Sequence, residues 1–295
     1  YAGRYAKSRN GRRARPRTDG RRRFMTTETR STPAAEAAAA KTTTKSGNIT
    51  AIASGKGGVG KTWLSITLAH ALAKAEAKTL LFDGDLGLAN LDIQLGLMPE
   101  QDLGSVIGGK LTLNQAVLNH DAYGFDIIAG LSGSGGLVNI TANRLKMLGD
   151  DLKVLAAGYD QVLIDLGAGV EQTVQNLTRS AGQVIVVVTD EPTSLTDAYA
   201  FIKVTQTEIP GMGFQVVANI VNSMREGERT YNTLLKACEA FLKISPPLLG
   251  IIRRDAKVPE AIRSQTSILT RSPNSEAACD VEKIAKKLLI PGIRS

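Results

Sequence analysis

From Asn48 onward, short apolar runs rich in β-branched residues alternate with longer stretches whose apolar positions recur at helical spacing. The runs "NITAIAS" (48–54), "KTLLFDGD" (78–85), "GFDIIAG" (124–130), "DQVLIDL" (160–166), "GQVIVVVT" (182–189), "GFQVVANIV" (213–221) and "PLLGII" (247–252) are candidate strands. Several are apolar on both faces, as strands in the middle of a covered sheet must be. Helices are predicted between them at about 61–76, 141–157, 171–180, 194–207, 228–242 and 274–290. Such an order predicts an α/β fold, a mostly parallel sheet of about seven or eight strands with helices on both faces. Ligand-binding loops then gather at the carboxyl ends of the strands.

Charge separates this region from what precedes it. The chain has 295 residues and a formal net charge of +8, yet residues 1–24 hold ten of its 36 Lys and Arg with one acid, Asp19. From Met25 onward 26 basic residues face 27 acidic ones, so the folded part offers no general attraction for nucleic acid. Residues 1–47 are expected to be a disordered tail, basic and then Thr/Ala-rich, with 48–291 one folded domain and 292–295 a short tail. Met25 is expected to be the natural start, the arginine run before it being upstream sequence; otherwise the run is a basic arm able to touch acidic lipid or nucleic acid. No stretch is apolar for long enough to span a bilayer, and no secretion signal is visible, so a cytoplasmic protein is expected. Cys238 and Cys279 lie far apart without a C-x-x-C pair, and no chemistry is assigned to them.

The first candidate strand runs into "SGKGGVGKTW", Ser54 to Trp63. Gly55-x-x-x-x-Gly60-Lys61-Thr62 between a strand and a helix is the context in which a phosphate loop works. Gly57, Gly58 and Gly60 let backbone N–H groups, Val59 among them, turn onto phosphate oxygens. Lys61 would neutralise the β- and γ-phosphates of ATP, and the Thr62 hydroxyl would ligate Mg²⁺ at the positive end of the helix. Asp83 and Asp85 leave the second strand on one side, two residues apart. Asp85 is read as the group that orients the attacking water, Asp83 as support for the Mg²⁺ water shell. Asp165, closing "QVLID", is the expected second acid of the metal site, and the glycines of "LGAGVE" after it make a second mobile loop.

Lys56 is surplus to an ordinary phosphate loop. With it, "KGGVGKT" resembles the deviant loop of the MinD/ParA ATPases, P-loop NTPases in which the early lysine reaches the partner's nucleotide across a dimer interface. The resemblance implies that Lys56 acts in trans and that ATP binding and homodimer formation complete one another. Trp63 stands where that family usually has a small hydroxyl residue. "DGDLGLANLDIQLGL", "DLGAGV", "TDEPTSLTDAYAFIK" and "LLGIIRRD" look, more narrowly, like the flagellar-number regulators of the FlhG (FleN) group, over about residues 48–290. That likeness implies a slow, partner-stimulated ATPase switch acting on the number and placement of flagella. Its implied partners are the flagellar GTPase FlhF and basal-body or flagellar regulatory proteins. By the same likeness Asn219, Arg253 and Asp255 belong to the adenine pocket, although an Asn there could equally cap the next turn. Two departures are visible: the tail lacks a "DQA"-type motif, and Arg253 replaces a usual proline.

The predicted last helix carries Val281, Ile284, Ala285, Leu288 and Leu289 on one face and Glu282, Lys283, Lys286 and Lys287 on the other. Two uses fit: a closing helix packed on the sheet, or peripheral contact with the inner face of the cell membrane, as the resemblance suggests. The alternatives to the flagellar reading are a MinD-type cell-division ATPase, a ParA-like DNA-segregating ATPase and a nucleotide-locked scaffold that hardly hydrolyses. An iron–sulfur carrier of the same superfamily would need paired cysteines that are missing here.

Overall fold

The computed structural model describes residues 46–130 and 140–290. The expected tails at 1–47 and 292–295 lie outside these apart from Ser46 and Gly47. Among the described residues eight strands form one sheet in the order β3-β4-β2-β5-β1-β6-β7-β8. They are β1 (Ile49–Ser54), β2 (Thr79–Gly84), β3 (Leu118–His120), β4 (Phe125–Ile128), β5 (Gln161–Ala168), β6 (Gln183–Val188), β7 (Gly213–Val221) and β8 (Leu248–Arg253). All pairs are parallel except β3 with β4. The seven expected strands are present to within a few residues. The eighth, β3, has three residues, too few for any period to show, and makes a hairpin edge.

Alternation along each strand divides the core into two layers. Ala51, Ala53, Phe82, Ile164, Val186 and Ala218 face one side. There they meet α3 (Leu103–Ile107), α4 (Ala142–Ala156), α5 (Gln172–Thr178), α6 (Pro192–Glu208) and α7 (Met224–Ala237). Ile52, Leu81, Leu163, Ile185, Val187 and Val217 face the other. That layer is closed by α1 (Lys61–Lys74), α2 (Leu91–Leu95), α8 (Lys257–Arg263), α9 (Ile268–Arg271) and α10 (Glu276–Leu289). Both faces are therefore dry, which is why the central strands read as unbroken apolar runs. Helix α7 begins earlier than its periodicity indicates, because Ser223 caps it by accepting the Glu226 N–H. Its expected continuation to 242 is a π-turn, Cys238–Leu242. The short helices α2, α3, α8 and α9 escaped the sequence pattern because none completes two turns.

Helix α10 uses its apolar face inside the protein. Ala277, Ala278, Val281, Ile284, Ala285 and Leu288 are buried, in the layer shared with α1, and Ile284 lies so close to β8 that a Cβ on Gly250 would fall 2.4 Å from it. Lys287 reaches back to donate to the Leu249 carbonyl on the outer edge of β8 at 2.6 Å. The closing-helix reading is the one the structure carries, so the apolar stripe is not free for lipid while α10 is docked. Among the described residues no helix is long and apolar enough to cross a membrane.

Candidate functional site

β1 sits at the point where the chain turns to both sides of the sheet, with β5 on one flank and β6 on the other. In such sheets the crevice beyond this strand end is where ligands bind. The loop from Gly55 to Gly60 fills the position and opens α1. Gly58 (φ +79°) and Gly60 (φ +86°) hold left-handed backbone that a side chain would strain. Gly55 is required for a different reason: a Cβ there would lie 2.0 Å from the Asp197 carbonyl carbon of α6.

Above the loop is a cavity of about 730 Å³. Its walls include Gly57, Gly58, Gly60, Lys61, Thr62 and Trp63, with Asp85 and Gly87 after β2, Gly167 and Ala168 at the end of β5 and Glu171 beyond it. Backbone N–H groups at a helix start, a lysine and a hydroxyl on one wall are the means of holding a polyphosphate. Lys61 is buried, and burial lowers its pKa while Asp165 and Asp85 pull it back up. Trp63 is buried against the α8–α9 side, next to Ile66, Leu95 and Ile262, so its ring serves packing.

Three acids converge from two neighbouring strands. Asp83 on β2 stands opposite Asp165 on β5 in the parallel register, and both are almost wholly buried. Burial first, then the Asp165 charge, pushes Asp83 up to about 8. Asp165 is raised to about 6 by burial, against hydrogen bonds from Thr62 and Ser65 and the Lys61 charge that lower it. The Ser65 hydroxyl donates to Asp165 Oδ1 at 2.8 Å. Asp83 spends its oxygens on the N–H groups of Asp85 (3.2 Å) and Leu91 (3.4 Å), shaping the turn that carries Asp85. Asp85 lines the cavity; Asp83 and Asp165 lie behind its wall.

This donor set suits a hydrated Mg²⁺. Among the described residues no three His, Cys, Asp or Glu side chains form a protein-only metal cage. Magnesium does not need one, since it keeps waters and takes substrate phosphate oxygens beside one or two protein groups. Burial raises both Asp83 and Asp165, and a divalent cation beside them would offset that by favouring their charged forms.

Four further sequence-assigned residues have other partners here. Asn219 donates to the Val59 carbonyl at 2.8 Å and accepts from Ile220 N–H at 2.9 Å, bracing the phosphate loop from β7. Ile220 beside it holds a φ of +59°, costly for a β-branched residue, within a break in the β7–β8 register. Arg253 is not brought to the cradle. Its guanidinium is clamped to α10 by both oxygens of buried Asp280 (2.8 and 2.9 Å) and by Glu276. Charge-assisted pairing with a buried carboxylate outcompetes an open pocket for that side chain. Asp255 caps two segments, accepting from the N–H groups of Lys257 (2.9 Å) and Ala277 (3.2 Å), at the wall of a separate cavity of about 550 Å³. Lys56 also leaves the cradle wall, pairing with Glu191 and donating to Thr193 Oγ1 at 2.9 Å. The sequence reading missed both partners, and it missed Ser65; no short spacing links any of them to the residues they hold.

Comparison with known proteins bears on the same cradle. The model of the CobQ/CobB/MinD/ParA nucleotide binding domain matches residues 50–268. The chain is 35% identical over 240 residues to the antiactivator FleN of Pseudomonas aeruginosa, covering 81% of this chain and 85% of that one. It is 32% identical over 241 residues to the flagellum site-determining protein YlxH of Helicobacter pylori, covering 81% of each. The structure of the septum site-determining protein MinD from Pyrococcus horikoshii, complexed with Mg-ADP, superposes with a TM-score of 0.71 at 26% identity, over 84% of this chain and 98% of that one. With its glycine loop, Lys61 and paired strand-end acids in the places described, the chain belongs to the MinD/ParA family of nucleotide-binding ATPases.

Proposed function

We propose that the protein is an ATP-dependent dimerising switch that regulates the number and placement of flagella. The observation that carries the reading is the coincidence of a complete phosphate cradle with likeness, over four fifths of the chain, to FleN and YlxH. Backbone N–H groups of Gly57 to Gly60 and the Lys61 ammonium hold the β- and γ-phosphates, and the start of α1 contributes its positive end. Bound Mg²⁺ would offset phosphate charge, held through Thr62 and, by way of water, Asp165. Asp85 orients the attacking water, and the loops after β2 and β5 follow the γ-phosphate. Lys56, supplied by a second subunit, adds positive charge where it develops. A partner reads the paired, ATP-bound state; the flagellar GTPase FlhF and basal-body or regulatory proteins are the proposed partners, at a cytoplasmic address with α10 closing the fold rather than anchoring it.

Size-exclusion chromatography with light scattering, in ADP and in ATP, tests the switch: one copy with ADP and two with ATP are expected. Asp85→Ala should reduce turnover by about a hundredfold or more while leaving ATP-dependent pairing intact. Lys56→Ala should weaken both. Single copies at saturating ATP would overturn the proposal. Deleting the gene and counting flagella per cell tests the biological assignment; an unchanged count and position would overturn that part alone.

A further inference from the structure

Helix α8 ends under strain. Just past it the Gln265 N–H donates to the Ile262 carbonyl at 3.0 Å and the Thr266 N–H to the Ala261 carbonyl at 3.1 Å. This pair of bonds closes a helix on a left-handed residue, a place where glycine is usual because a side chain strains the backbone there. Here that residue is Gln265, at φ +49°. A glycine would end α8 with less strain, so the use of the side chain has to be sought outside α8.

The side chain reaches α2. Gln265 Nε2 donates to the Ile93 carbonyl at 2.8 Å. Gly96, the C-cap of α2, lies against the same side chain: a Cβ on Gly96 would fall 2.9 Å from Gln265 Oε1 and 3.1 Å from its Cδ. Five residues do not hold a helix in place unaided, so α2 sits where its neighbours put it. At the near end Asp83 accepts from the N–H groups of Asp85 and Leu91. Gln265 holds the far end. The segment between these anchors gives Asp85, Leu88, Asn90 and Gln94 to the wall of the cavity over Lys61, which α8 also borders through Ile262.

We propose that Gln265 is a positioning residue for hydrolysis, holding the far end of α2 so that the loop carrying Asp85 is set over the γ-phosphate. This rests on the reading of Asp85 as the group that orients the attacking water. The glycine loop, Lys61 and Thr62 belong to other elements, β1 to α1, so the brace acts on the chemical step and not on the holding of nucleotide. Gln265 is exposed, and one neutral hydrogen bond open to water changes a rate by about two- to tenfold.

Two variants of the full chain test the brace. Gln265→Gly removes the hydrogen bond and the strain together, so its melting midpoint should hold or rise while its activity falls. Phosphate release at saturating ATP should show kcat lowered by about two- to tenfold, with KM for ATP unchanged within about twofold. Gln265→Glu keeps the length but cannot donate to a carbonyl, and should lower kcat equally. In an Asp85→Ala background, Gln265→Gly should slow single-turnover hydrolysis no further. A raised KM at unchanged kcat, full activity of Gln265→Glu, further slowing in the Asp85→Ala background, or a midpoint of Gln265→Gly lower by more than about 5 °C would each overturn the brace. If Asp85→Ala hydrolyses ATP like the natural sequence, the reading of Asp85 is wrong and the brace falls with it. If Asp85→Ala is slow and Gln265→Gly is not, only the brace falls.

Discussion

Asp83 carries a proton that burial first, and then the Asp165 charge, forces on it. Opposite Asp165 and away from water, it has a pKa of about 8 against an ordinary 3.8. The folded chain then keeps a proton that the unfolded chain has lost, so the stabilisation is whole below about pH 4 and is lost as pH rises through about 8. Asp83→Asn, which removes the titration and nearly keeps the shape, should raise the melting midpoint of the nucleotide-free protein by about 3–6 °C near pH 8. Calorimetry near pH 4 should find the gain gone. His70 works the other way: burial first, then the Lys74 and His120 charges, hold it down at about 4, so acid below about 6.5 costs stability as the unfolded chain takes up a proton first. The glycines, Lys61, Thr62 and the strand-end acids were legible because a phosphate site needs those residue types at that spacing. Lys56's restraint was not, since Glu191 lies 135 residues away and only folding joins them. The ion pairs of Arg253 were hidden for the same reason, its partners being on α10.

Elements are pinned to one another at places where a single atom matters. Gly55→Ala would drive a methyl into the α6 backbone and should cost about 3 kcal/mol or more, seen as an early urea midpoint. α6 would also be displaced, so nucleotide affinity should fall with it. Ile284 tests the use of α10. It is 2% exposed, in the layer shared with α1 and directly beside Gly250 of β8, and Ile284→Ala should cost about 2–4 kcal/mol by chemical denaturation. A loss below about 0.5 kcal/mol would mean that α10 is not part of the core. Strand positions were readable because central strands are apolar on both sides. The hairpin edge β3 and the short helices α2, α3, α8 and α9 were not, because their positions are set by the neighbours they fill and not by a period of their own.

At the scale of the molecule, the composition from Met25 onward is near neutral, 26 basic against 27 acidic residues, so bulk charge supplies no general pull toward DNA. The two rims of the sheet have a consequence of their own. On one side stands a three-residue antiparallel strand; on the other, the outward carbonyl of Leu249 is taken by Lys287 and the N–H of Arg253 by Asp280. Neither border can readily accept another chain's backbone as a continuation, which also guards the protein against stacking into fibres. The pairing proposed above therefore draws on surfaces other than the sheet's borders, and the approach it calls for, across the openings where the loops gather, would set two triphosphate cradles face to face.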